Sequence, residues 1–163
     1  MAKSSFSDLL QKKQESYEAE AAVNREIIDE WVQAIRKLFD QFRGWLKVSD
    51  PTKILQVEER MAEVNEPNVG RYQAPRLDIR AFGKWVGVIP KALKTVGSAR
   101  PPRSGAPAHA TGRVDITDEI RRYVLYRFEG DSGDAWFIES PSSDALEQLT
   151  QDRFEEALMS YFQ

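Results

Sequence analysis

A chain of 163 residues with 41% hydrophobic and 30% charged residues has the length and composition of one soluble domain, and its net charge of −3 does not favour polyanions. The absence of cysteine excludes a disulfide framework, a thiol nucleophile and a thiolate zinc site. Because the sequence contains neither a secretory leader nor an apolar run of ~18 residues, we expect a cytoplasmic protein with no membrane partner.

The first predicted element is a long helix over residues 5–47, which ends before Pro51. Its second part, residues 28–46, repeats apolar side chains at steps of three and four. These side chains are Ile28, Trp31, Val32, Ile35, Leu38, Phe39, Phe42, Trp45 and Leu46. The pattern predicts a helix that packs on the core, with a partner-binding helix as the alternative.

The first part of this helix is poorer in apolar residues, and Leu10, Tyr17 and Asn24 continue the spacing only weakly. A straight helix over the full length would span about 65 Å. A compact chain of this size has a radius of gyration of only about 15 Å. We therefore expect residues 1–22 to bend near residues 21–24, to project as a helical arm, or to pair with another copy of the chain.

Residues 52–64 are compatible with either a helix or a strand. Ile54, Val57 and Met61 have helical spacing, but the turn-rich residues 66–70 lead into extended structure and favour a strand.

Two β-hairpins are predicted further along the chain. One covers residues 77–89 with a turn at Gly83, and the other covers residues 120–139 with a turn rich in Gly and Asp. Residues 111–116 predict one more strand. Between the hairpins, residues 98–111 are rich in Pro, Gly and Arg and lack large apolar side chains, which predicts a mobile surface loop.

The last predicted element is a C-terminal helix that follows a capping residue, Thr150. Its apolar side chains again recur at steps of three and four, from Phe154 to Phe162. The predicted fold is a single α+β domain over residues 1–163. In it the long N-terminal helix and the C-terminal helix pack on a mainly antiparallel sheet of about four to six strands, whose other face is more polar or serves a partner.

Charge is unevenly distributed, because residues 79–114 contain seven cations and no Asp or Glu. The candidate binding residues in this segment are Lys91, Lys94, Arg100, Arg103 and Arg113. They fit an acidic protein partner, or a nucleic acid or another phosphate ligand, although the segment has no recognised nucleic-acid motif. A solvated or internally paired basic surface explains the same residues.

Catalytic residues are not evident. The single histidine, His109, lies in the predicted loop without groups that would hold it in place. Glu129, Asp131 and Asp134 cluster around a turn, but their spacing departs from an EF-hand and suits a solvated hairpin turn. We expect no enzymatic activity, no metal and no cofactor.

The sequence thus predicts a small non-enzymatic protein-interaction module of the adaptor, chaperone or inhibitor type. Its N-terminal helix and its basic loop would bind a protein partner, which includes an acidic protein or a second copy of the chain. The alternative is a nucleic-acid or phosphate-ligand binding module that uses residues 80–113.

Overall fold

The computed structural model describes residues 2–67, 69–94, 110–130, 133–142 and 145–163, with side chains from residue 5 onward. Helix α1 spans Ala2–Ser49 and helix α2 spans Gln151–Phe162. The strands between them are β1 Gln56–Glu66, β2 Gly70–Ala81, β3 Lys84–Ala92, β4 Gly112–Thr117, β5 Arg122–Gly130, β6 Gly133–Glu139 and β7 Leu146–Gln148.

The strands form one sheet in which each strand pairs antiparallel with the next along the chain, in the order β1 to β7. This arrangement confirms the predicted α+β fold with helices on an antiparallel sheet. The predicted count of four to six strands is too low, since the described residues form seven. The additional strand, β7, has three residues and a single apolar side chain, Leu146. It is too short to show the alternation of apolar and polar residues from which a strand is predicted.

Of the ambiguous residues 52–64, those from Gln56 onward form a strand, as the turn after them indicated. Strand β1 pairs with β2 from Gln56 opposite Arg80 to Glu66 opposite Gly70. Because β1 lies at the edge of the sheet, Val57 and Met61 remain 36% and 45% exposed.

Both predicted hairpins are confirmed. Strands β2 and β3 are joined by Phe82 and Gly83, which have φ values of 54° and 72°. Two successive residues with positive φ are typical of the type I′ turn, whose twist matches that of the flanking strands. Strands β5 and β6 form the second hairpin, in which Val124 lies opposite Glu139 and Gly130 opposite Gly133.

The core lies between the sheet and the two helices, as the stripe on residues 28–46 predicted. Six side chains of that stripe are buried: Trp31, Ile35, Leu38, Phe39, Phe42 and Leu46. The ring of Phe42 stacks on that of Phe154 in α2, with 4.1 Å between centroids and an angle of 7° between planes. The two helices therefore cover the same face of the sheet.

Helix α2 begins as the sequence predicted. The Thr150 side chain accepts a hydrogen bond from the backbone N–H of Arg153 at 3.2 Å. At the other end of α2, the Tyr161 hydroxyl donates to the carbonyl of Ile116 at 2.8 Å, which ties the helix to β4. In the described part of the chain, no helix is both long enough and apolar enough to cross a bilayer.

Candidate interaction surface

Helix α1 continues well beyond the sheet, and no element among the described residues covers its leading part. The helix has 48 residues and runs without interruption through residues 21–24, where a bend was one of the expectations. At 1.5 Å per residue its length is about 70 Å. Every side chain over residues 5–20 is exposed.

The part of α1 before residue 28 carries six exposed large apolar side chains, which we call the N-terminal stripe. Its members are Phe6 (63% exposed), Leu9 (50%), Leu10 (53%), Tyr17 (70%), Val23 (55%) and Ile27 (37%). At 100° per residue, Phe6 and Tyr17 point within about 20° of the direction of the buried Phe42. The N-terminal stripe is thus the continuation of the face that packs on the sheet.

Polar residues interrupt the N-terminal stripe, whereas the buried stripe has none. Lys13, Glu20 and Asn24 occupy positions on it. The charge around it also changes sign along the helix: residues 2–13 contain three lysines and one aspartate, and residues 14–30 contain six carboxylates and one arginine.

An ion-pair cluster fixes α1 at the point where it leaves the sheet. The Arg127 side chain, on β5, is 3% exposed and donates to both carboxylate oxygens of Glu30 in α1. Its guanidinium also lies 2.9 Å from Asp134 and 3.3 Å from Glu129. Burial would lower the pKa of Arg127, but the surrounding carboxylates, Glu30 first, raise it above its usual range.

The same cluster has the composition of a cation site, because carboxylate oxygens of Glu30, Glu129 and Asp134 lie within 4.8 Å of one another. The guanidinium of Arg127 already supplies positive charge to all three. The cluster is therefore an anchor for α1. Of the acidic turn residues singled out in the sequence, Glu129 and Asp134 belong to this anchor and Asp131 lies outside the described residues.

An aromatic contact reinforces the anchor. Trp31 stacks on Trp136 of β6, with ring centroids 6.1 Å apart. Gly112 of β4 lies directly beneath the indole, where a Cβ atom would come within 2.1 Å of the Trp31 ring. Trp31 belongs to the predicted stripe over residues 28–46, but the sequence contained no signal for the close approach of Gly112.

The predicted basic residues do not form one site: some are exposed, one is paired within the fold, and two lie outside the described residues. Lys91 and Lys94 are exposed, and Ala92, which follows Lys91, lies opposite Arg113 in the pairing of β3 with β4. Arg113 is engaged on the sheet face opposite the helices, where it donates to both oxygens of Asp115 at 2.8 and 3.0 Å. These hydrogen bonds raise the pKa of Arg113. Arg100 and Arg103, with most of the predicted loop, lie outside the described residues.

The sheet face opposite the helices also carries a buried carboxylate that the sequence did not single out. Asp78 accepts hydrogen bonds from Arg60 at 2.7 Å, Arg76 at 2.7 Å and Trp85 at 2.8 Å. Burial alone would raise the pKa of Asp78, but these three donors outweigh it and hold the pKa below its usual value. Trp85 itself lies partly buried on this face.

Internal contacts account for the charged clusters around Arg127, Arg113 and Asp78. They do not account for the N-terminal stripe, which remains the largest apolar feature on the described surface of α1. Comparisons with known proteins find no family model, curated protein or solved structure that matches this chain.

Proposed function

We propose that the chain is a non-enzymatic protein-interaction module that binds its partner through the N-terminal stripe. One observation carries this proposal: six large apolar side chains, 37–70% exposed, line one face of an uninterrupted helix. Soluble proteins rarely expose contiguous apolar surface unless it is used for binding. Apolar anchors at steps of three and four are the pattern by which a helix binds a groove or another helix.

The anchor at the sheet supports this role. An isolated helix of this length is only marginally stable in water, because the first turn is costly to form. In α1 the helix is already nucleated by the buried stripe and by the contact between Glu30 and Arg127. The N-terminal stripe is therefore presented in helical form, which lowers the ordering cost of binding.

Site-specific photocrosslinking in the producing cell tests the proposal. A photoreactive residue at Leu10, on the stripe, should give a discrete protein adduct, because this position would be in contact with the partner. The matched control is Ala22, which is exposed on the far side of the same helix. Adducts of equal yield at both positions, or none at Leu10, would contradict the proposal.

The alternative is a nucleic-acid or phosphate-ligand binding module built on the basic segment. The exposure of Lys91 and Lys94 supports it, whereas the engagement of Arg113 with Asp115 weighs against it. A steep linear fall of log affinity for duplex DNA or RNA with log salt, weakened by replacing Lys91 and Lys94 with Gln, would favour this alternative. Weak binding whose affinity is unchanged by both substitutions would reject this alternative.

A further inference from the structure

We infer that the N-terminal stripe binds the same stripe of a second copy of this chain, with the two helices antiparallel. This inference rests on the proposed function, because it names the partner for the same surface. It is argued from the charges on and around the stripe and from the place where α1 leaves the sheet.

The two charged residues on the stripe itself fix the direction of pairing. Lys13 and Glu20 are seven residues apart, so they point in nearly the same direction along the helix. Parallel helices in register would place Lys13 against Lys13 and Glu20 against Glu20. Antiparallel helices related by a two-fold axis near Tyr17 place each Lys13 beside Glu20 of the second copy.

The charges flanking the stripe favour the same direction. Residues 2–13 carry a net positive charge and residues 14–30 a net negative charge. An antiparallel pair brings the positive segment of one helix alongside the negative segment of the other, at both ends. A parallel pair would align like charges over the whole length, which is unfavourable.

Apolar complementarity agrees with this axis. The arrangement that joins Lys13 to Glu20 also brings Phe6 close to Ile27, and Leu10 close to Val23, of the second copy. The overlap covers residues 6–27, about 33 Å of helix. All six exposed apolar residues of each copy then lie within the overlapping segment.

The described residues leave room for such a pair. The buried part of α1 begins at residue 28, which is partly buried against the core, and the anchor at Glu30 follows it. Both points lie beyond the overlapping residues. The two sheets are therefore placed at opposite ends of the helix pair, and the interface is closed and two-fold symmetric, as is usual for homodimers.

Sedimentation of the full chain over a range of concentrations, with charge-swapped variants, tests the inference. Wild type should be a reversible dimer. Glu20→Lys alone, or Lys13→Glu alone, should weaken the dimer about tenfold, because each change converts two attractive contacts into two repulsive ones. The double variant Lys13→Glu with Glu20→Lys should return to nearly wild-type affinity. The matched control Ala22→Glu should have little effect.

The other outcomes are equally decisive. A dimer that the single swaps leave unchanged would overturn the antiparallel arrangement, because parallel helices would only exchange one pair of like charges for another. A chain that is monomeric at every concentration would overturn self-pairing. In that case a photoadduct of Leu10 with a different protein would preserve the proposed function, and the lack of any adduct would reject both.

Discussion

The two halves of α1 have the same apolar spacing but opposite environments. Over residues 28–46 the stripe is covered by the sheet and α2, whereas over residues 6–27 it is exposed. The buried half contains two tryptophans and two phenylalanines and no charge on the stripe. The exposed half contains Lys13, Glu20 and Asn24 on the stripe. The apolar spacing shows that a helix face packs against another surface. The presence or absence of polar residues on that face indicates whether the packing occurs only on binding or is permanent.

The physical reason lies in the cost of desolvation. A charged side chain on a permanently buried face must find a partner or pay several kcal/mol. The same side chain on a surface that is covered only on binding stays hydrated in the unbound state, and it can select one partner and one orientation. A charged side chain on the stripe therefore costs more free energy of desolvation in the buried half than in the exposed half.

The largest expected effect is that of Phe42→Ala in the buried half. Phe42 is 0% exposed and stacks on Phe154. Its truncation should lower the free energy of unfolding by about 3–5 kcal/mol, since the closely packed neighbours cannot move in to fill the cavity. Urea unfolding followed by tryptophan fluorescence measures this change. A loss below 1 kcal/mol would mean that the stripe does not form the core.

The pH dependence of stability tests the contribution of Asp78, which lies in the sheet that packs against the buried half of α1. The pKa of Asp78 is lowered by folding, so the stability it contributes is present above its unfolded pKa of about 3.9 and is lost as pH falls through the lower, folded value. Asp78→Asn should cost about 1.5–3 kcal/mol at pH 7, because its amide N–H₂ would face donors, and should flatten this loss.

The control for this acid titration is Glu58→Gln, on the neighbouring strand. The Glu58 side chain is 68% exposed and lies 3.7 Å from Arg80, so its replacement should change stability by less than about 0.5 kcal/mol. If both variants had the same acid profile as wild type, Asp78 would not be the group responsible.

Two glycines sharpen the comparison, and one of them, Gly112, lies beneath Trp31 near the boundary between the halves. Gly112→Ala should destabilise by about 1–3 kcal/mol, because the new Cβ would lie 2.1 Å from the ring of Trp31, which is held by Trp136. Gly44→Ala, in α1 itself, meets no atom within 4 Å and should instead stabilise by about 1 kcal/mol through helix propensity. Thermal unfolding of both variants measures the difference. Equal effects would show that Trp31 can move away.

Sequence alone predicts the elements that depend on local pattern. The stripe of α1, a turn at Gly83 and the cap at Thr150 were all predicted, because spacing and turn chemistry act over a few residues. Local patterns cannot reveal pairs that the sheet brings together. The contact of Glu30 with Arg127 joins residues 97 positions apart, and Asp78 is enclosed by side chains from three strands.

The candidate surface was only partly predictable for the same reason. The weak apolar spacing of the first part of α1 indicated an arm or a pairing helix, but sequence could not show whether another element of the chain covers it. The basic residues were selected by local charge, and their local context did not reveal that Arg113 would be held by Asp115. Exposure is a property of the assembled fold.

The smallest expected effect, and the direct counterpart of Phe42→Ala, is that of Leu10→Ala in the exposed half. Leu10 is 53% exposed, so its truncation removes little packing within the described part of the chain and creates no enclosed cavity there. The free energy of unfolding, measured at a concentration too low for association, should change by less than about 0.5 kcal/mol. The same substitution should weaken self-association, because it removes an apolar anchor from each copy. A loss of 2 kcal/mol in the single chain would show that the N-terminal stripe packs within the monomer, and the distinction between the two halves would then fail.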